Sequence, residues 1–206
     1  MLRIWGRNSS INVQKVMWTV EELGLPHERI DAGGVYGFVD TDDYVRLNPN
    51  RLVPTIDDDG FVLWESHAIV RYLCARHSAG RLWPDDLRVR ADADRWMEWM
   101  ESVIVPSLRP VFWQLIRTRS EDRNPDAIAA GVADLARQFA ILDTALADRD
   151  FVAGDSLTMG DIPIGCATYR YFGLNIEHPS LPNVEAWYQR LTERPAFRVQ
   201  VMMPIT

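Results

Sequence analysis

Cysteine is scarce in this chain: two residues of 206, Cys74 and Cys166, far apart and outside any metal-type spacing. That scarcity argues against a disulfide framework or a zinc site and makes the reducing cytoplasm the expected compartment. Positive charge is also in short supply, with 22 Lys and Arg against 29 Asp and Glu, a formal net charge of −7. This balance disfavours a surface that coats nucleic acid or anionic membrane, while leaving room for a local basic pocket. No run approaches the roughly 18 apolar residues of a membrane helix. The opening Met1-Leu2-Arg3-Ile4-Trp5-Gly6 turns polar too early for a signal-peptide core. His27, His67, His77 and His178 lack ligand spacing and are read as structural or exposed, so no metal is expected. What is present is the material of a folded protein: at 47% hydrophobic and 25% charged, the chain has enough to bury a core in one large domain or two small ones.

The pattern changes character near residue 80. Leu2-Arg3-Ile4-Trp5 alternates like a strand and stops at Gly6. Val13, Val16, Met17, Val20 and Leu23 then recur at helical spacing until Gly24-Leu25-Pro26. His27 to Ile30 reads as a second strand parallel to the first. After a turn-rich stretch from Gly33 to Asp43, Leu52 to Ile56 and Phe61 to Trp64 flank Asp57-Asp58-Asp59-Gly60, a hairpin signal. Ser66 is placed to cap a helix whose apolar side is Ile69, Val70, Leu73 and Cys74. Ser78 to Asp86 reads as a linker. Helical patterns follow: from Arg88 towards Ser102 and past Pro106 to Ile116, from Pro125 to Leu146, from Asp161 to Phe172, and from Val184 to Leu191. Thr158-Met159-Gly160-Asp161 fits a capping box in which Asp161 closes on the Thr158 backbone, a folding role.

Four segments, in order along nearly the whole chain, carry a resemblance. They are Asn48-Pro49-Asn50-Arg51-Leu52-Val53-Pro54, Glu65 to Leu73, Leu157 to Ile162, and Trp187 to Ala196. With these joints the chain resembles a cytosolic glutathione S-transferase. Gly6 to Val16 looks like a bacterial subgroup, the GstB-like group, related to serine-using theta-type enzymes. The resemblance implies an α+β thioredoxin-like domain (β-α-β-α-β-β-α) at residues 1–79 that binds glutathione. A linker at 80–87 and an all-helical domain at 88–206 carrying the electrophile pocket would follow. It also implies a cytoplasmic homodimer, glutathione as co-substrate and no tightly bound cofactor. Partners are glutathione and a small electrophile, not nucleic acid or membrane.

Glutathione chemistry needs a thiolate at neutral pH, and a helix N-terminus with nearby donors lowers a thiol pKa from about 8.5. The first helix opens at Ser9-Ser10, where a hydroxyl can either cap the helix or donate to sulfur. By resemblance Ser10 is the thiolate donor, Asn12 a second donor, and Ser9 part of the glutathione loop. No tyrosine stands at Trp5-Gly6, where tyrosine-type enzymes carry theirs, and neither serine position is a cysteine of the thiol-transfer type. Pro54 either opens an edge strand or, by resemblance, follows a cis bond that frees the Val53 N–H and C=O to clasp the cysteinyl unit. Glu65 and Ser66 suit a helix start and, by resemblance, the charged γ-glutamyl end. Leu52 occupies the place where relatives often carry the glycyl-carboxylate partner, so Arg51, one residue earlier, is the substitute. Arg7 is a weaker candidate, and Lys15 reads as a solvated charge on a helix face.

The second substrate is expected between the domains. Trp99, Phe112, Trp113 and Tyr169 serve as either wall or core, and Arg109 as either a partner for an anionic co-substrate or a surface charge. The leading reading is thioether formation by displacement or addition on a small electrophile, which for a halogenated acid amounts to dehalogenation. Alternatives are a glutathione-dependent disulfide reductase, whose Thr-x-Asn loop Ser10-Ile11-Asn12 approaches, or an isomerase. A third is a non-catalytic binding protein of the same fold.

Overall fold

A computed structural model describes the whole chain, Met1–Thr206. Its first half is α+β. Strand β1 (Leu2–Trp5) leads through Gly6 into helix α1 (Ile11–Glu22), and β2 (His27–Ile30) returns parallel to β1. A 3₁₀ turn at Gly34–Tyr36 and helix α2 (Asp42–Leu47) precede the hairpin β3 (Thr55–Asp58) and β4 (Phe61–Trp64), then helix α3 (Ser66–His77). The sheet order is β2-β1-β3-β4, with β3 antiparallel to both β1 and β4.

The hairpin lies where the sequence pattern put it, but its first strand starts later. Leu52 and Val53 stay outside the ladder because the Leu52 carbonyl accepts from the Tyr44 hydroxyl (2.6 Å) and Asn48 Nδ2 (2.9 Å). Pairing with β1 begins at Thr55, opposite Trp5. Strand β3 in turn takes in Asp57 and Asp58, leaving Asp59-Gly60 as the turn. Helix α2 begins at the end of the turn-rich stretch and runs through residues to which the local pattern assigns no element. Thr41 starts it by accepting from the Tyr44 N–H at 3.3 Å, a side-chain cap.

The second half is all helical: α4 (Leu87–Trp99), α5 (Val105–Phe112), α6 (Pro125–Ala145), α7 (Asp161–Gly173), α8 (Pro182–Thr192) and α9 (Pro195–Gln200). Helical backbone runs unbroken from Leu87 to Arg117, past Pro106 and Pro110, through π-helical turns at Met100–Ile104 and Trp113–Arg117. Proline removes an N–H from the ladder, and wider turns beside it absorb the lost bond.

The sheet and the inner faces of α1 and α3 enclose Leu2, Ile4, Val13, Val16, Met17, Val20, Ile56, Ile69 and Leu73. Each such side chain contributes about 1.5–3 kcal/mol of burial. The opposite face of α1 enters the larger helical core through Trp18, whose ring meets Phe197 edge-on at 4.7 Å. Every residue from Val13 to Val20 is therefore buried. Lys15, expected on a solvated face, is fully buried, because the helical half covers the side of α1 that the sheet does not.

Candidate active site

The loop between β1 and α1 lies tight against its own helix. A Cβ on Gly6 would come within 2.4 Å of Val13 Cγ2, so a residue without one lets the loop fold back. Ser10 takes the N-cap backbone position, its carbonyl accepting from the Gln14 N–H at 2.9 Å. Its hydroxyl makes no capping bond. Of the two roles open to a serine here, the structural one is thus unused by the side chain. The Ser9 carbonyl accepts from Arg170 Nη2 at 2.8 Å, which ties the loop to α7.

Four further groups stand on the sheet half, some of them open and some partly engaged. The Val53–Pro54 peptide is cis, and neither the N–H nor the C=O of Val53 has a backbone partner. Glu65 holds a positive φ of 71° at the start of α3, followed by the buried Ser66. Asn12 is half-occupied: its Oδ1 accepts from Lys15 Nζ at 3.0 Å, and since an ammonium only donates, the amide N–H₂ faces elsewhere. Arg51 also has a positive φ, 56°, and its exposed guanidinium lies 3.5 Å from Asp40 Oδ1.

Beneath this rim lies a buried polar cluster. Lys15 Nζ is 2.9 Å from His67 Nε2 and 3.6 Å from Glu101 Oε2 of the helical half. Burial pulls the Lys15 pKa down to about 8, with Glu101 opposing it. Burial and the Lys15 charge push the His67 pKa down to about 2, so its ring is neutral and Nε2 accepts. Cys74 and Cys166 are buried with pKa pushed up to about 12, so neither supplies a thiolate. No group of three or more His, Cys, Asp or Glu comes together as a metal set.

Of the expected wall residues, Phe112 is brought to the loop. The Arg170 guanidinium, bonded to Ser9, stacks over its ring at 4.7 Å, and that of Arg117 at 5.9 Å. Arg7 completes this group, its side chain lying along Gly33 and Gly34. Burial lowers the Arg170 pKa to about 10, with Arg117 and Arg7 adding to the effect; burial and Arg117 lower that of Arg7. Tyr169 donates its hydroxyl to the Met203 carbonyl at 2.6 Å. Trp99 packs edge-on against the core residue Trp96 at 5.1 Å. Arg109 and Trp113 form an exposed pair, guanidinium 6.0 Å from the ring centroid, and neither bonds to the Ser9–Ser10 loop. Arg117, Arg170 and the buried role of Lys15 escaped the sequence reading. The available signal was Arg170 itself, a lone cation in the apolar run from Ile162 to Phe172.

A β-α-β-α-β-β-α half with a cis Val-Pro ahead of its third strand, followed by a helical half, defines the architecture of a glutathione-dependent transferase. Family models agree: glutathione S-transferase N-terminal domain matches residues 9–76, and glutathione S-transferase C-terminal domain matches residues 104–195. The chain belongs to the glutathione S-transferase family. Over the full length of both proteins it is 43% identical to the glutathione S-transferase GstB of Escherichia coli. It superposes on the glutathione-bound theta class glutathione S-transferase of Xanthomonas axonopodis pv. citri with a TM-score of 0.96, at 43% identity and covering 100% of this chain and 99% of that one. On the apo form of that protein the TM-score is 0.88, at 38% identity and covering 100% and 98% of the two chains.

Proposed function

We propose that the sheet half, residues 1–79, binds glutathione and that Ser10 and Asn12 donate hydrogen bonds to its thiolate. The observation that carries this reading is the Ser10 hydroxyl, which sits at the N-terminus of α1 and makes no capping bond. A thiolate there gains the positive end of the helix dipole and a charge-assisted bond, each favouring the ionised form. The open N–H and C=O of Val53 suit the cysteinyl backbone, as an added strand would pair. Ser66 and the N–H groups opening α3 suit the γ-glutamyl carboxylate, and Glu65 its ammonium. Arg51 reaches the glycyl carboxylate by exchanging its exposed Asp40 contact for it. Ser9 orients the loop through its carbonyl bond to Arg170.

The electrophile occupies the Phe112 side, within residues 88–206. Arg117 and Arg170 of that half converge there with Arg7 of the sheet half; the Arg117 charge lowers the proton affinity of both, and the Arg7 charge that of Arg170. That favours a small electrophile bearing an anionic group beside the reacting carbon, such as a halogenated acid. Sulfur attacks the carbon, the carbon–sulfur bond forms, and halide leaves with the bonding pair. Positioning and thiolate formation supply most of the acceleration. The same reading makes the protein a cytoplasmic homodimer.

Titration of glutathione into the protein at neutral pH, followed by thiolate absorbance near 240 nm, tests it. A saturable signal in the native protein, lost or moved to higher pH in Ser10→Ala, is expected. Absence of both binding and signal in the native protein would sink the enzyme reading in favour of a binding module.

A further inference from the structure

Lys15 is the one lysine of this sequence, and it is fully buried where two halves of the molecule and two parts of the candidate site meet. Burying an ammonium is costly, and Glu101, its single carboxylate neighbour, is half-exposed and 3.6 Å away. A chain that needed only to fill this space would do so with methionine or leucine at no such cost. The two shorter contacts are to groups beside the candidate site. Nζ donates to Asn12 Oδ1 at 3.0 Å, one turn back on α1, and to His67 Nε2 at 2.9 Å, next to Ser66 on α3.

We propose that Lys15 is a positioning residue: it claims the oxygen of Asn12 so that the amide N–H₂ is presented to the glutathione sulfur, and it locks that group to the Ser66 end of the site. The proposal rests on the glutathione reading given above. An asparagine amide is ambiguous, since rotation by half a turn exchanges donor for acceptor. Facing a thiolate, the acceptor orientation repels and the donor orientation stabilises. An ammonium behind the amide removes the ambiguity, because only the oxygen can face it. His67, neutral and accepting through Nε2, holds Nζ from the far side, and Glu101 fixes it from the helical half. Cys166 and Arg170 of α7 complete the titratable surroundings of Lys15, and Arg71 those of His67. The sulfur-facing amide and the N-terminus of α3 thereby move as one unit.

The pH midpoint of the thiolate signal in the glutathione complex tests this, measured for the native protein, Asn12→Ala, Lys15→Met and the double variant. Methionine keeps the volume and removes every donor. Each single variant is expected to raise the midpoint by about one pH unit, toward the ~8.5 of a free thiol. The double variant is expected to rise no further than either alone, since residues acting as one unit are not additive. Lys15→Gln, which retains an N–H donor, should fall between native and Lys15→Met. A folded Lys15→Met with a native midpoint, or a shift that adds in full to that of Asn12→Ala, overturns the proposal. Should neither lysine variant fold, Asn12→Asp decides with Lys15 in place. Its acceptor-only side chain should raise the midpoint beyond that of Asn12→Ala, and a native midpoint overturns the donor orientation. A native protein with no saturable thiolate signal would instead defeat the glutathione reading itself, so the two failures are distinct.

Discussion

Two polar sites of this molecule, one in each half, are treated in opposite ways. In the helical half the buried Asp161 carboxylate is saturated: it accepts from the Val152 N–H (3.0 Å), the Thr158 N–H (2.8 Å) and hydroxyl (3.2 Å), and Trp187 Nε1 (2.9 Å). In the sheet half the Ser10 hydroxyl makes no capping bond and the Val53 backbone groups have no backbone partner. Both are chemically able to bond. The closed set staples α7 to α8 and to the loop before it, whereas the open set holds no part of the fold together. Open polar groups at the start of a helix and ahead of a central strand are where function is to be sought, and saturated ones such as Asp161 are where the fold is held. The cores divide in the same sense: a small one under the sheet, and a large continuous one joining the helices.

The sharpest way to break this division is Asp161→Ala. It orphans three buried N–H donors at once and should cost about 3–5 kcal/mol in urea unfolding, while the folded fraction keeps its glutathione affinity. A loss under about 1 kcal/mol would mean the saturated set is not what staples the helices. Gly165→Ala strikes the seam. The added Cβ would lie 2.8 Å from both Trp18 Cζ3 and Leu191 Cδ1. Overpacking of this kind costs about 1–3 kcal/mol. Because Trp18 is on the helix that carries Ser10 and Lys15, glutathione KM should rise along with the fall in stability; an unchanged KM would show that α1 is insulated from the seam. Ser66→Ala removes a hydroxyl that makes no hydrogen bond within the chain, so the melting temperature should hold. Glutathione KM should rise about tenfold, the worth of one bond to a charged group.

Which parts of this were legible in the sequence follows from how local the cause is. The β1-α1-β2 unit and the hairpin were legible because alternation, helical spacing and an Asp/Gly turn are local signals. The Thr158–Asp161 capping box was legible for the same reason, and the structure closes it at 2.8 Å. Helix α2 was carried only by the family resemblance, since Asp42–Leu47 has one buried residue, Tyr44, and so no periodic face. Helix α9, the six residues Pro195–Gln200, was too short to leave a pattern. In the candidate site, the residues that sequence reasoning could propose are those of contiguous motifs, from Ser9 to Asn12, Arg51 to Pro54, and Glu65-Ser66. Arg117 and Arg170 are not among them, because only the tertiary fold brings residues from α7 and the 113–117 turn to Phe112 and the Ser9 carbonyl. Lys15 failed differently. The spacing of Val13, Val16, Met17 and Val20 defines one apolar face of α1, and local pattern holds no record that the helical half covers the other.

That buried lysine also supplies the smallest and most specific test of the comparison, since it is a sheet-half polar group neither left open nor cheaply saturated. Its pKa falls from 10.5 to about 8 in the folded protein, chiefly by burial. Below pH 8 both folded and unfolded chains hold the proton, and folding bears the full cost of enclosing the charge. Between pH 8 and 10.5 the folded chain releases the proton while the unfolded chain still holds it. The unfolded state then binds more protons, so stability rises with pH across that window. Other groups titrate there too, which is why the quantity to measure is the native protein minus Lys15→Met, by urea unfolding at a series of pH values. The difference should shift in favour of the native protein by about 1 kcal/mol from pH 7 to pH 9 and level off above pH 10.5. A flat difference would mean that Lys15 keeps its charge with no penalty. The site would then hold a fully compensated ion pair with Glu101, and Lys15 would belong with Asp161 among the groups that hold the fold.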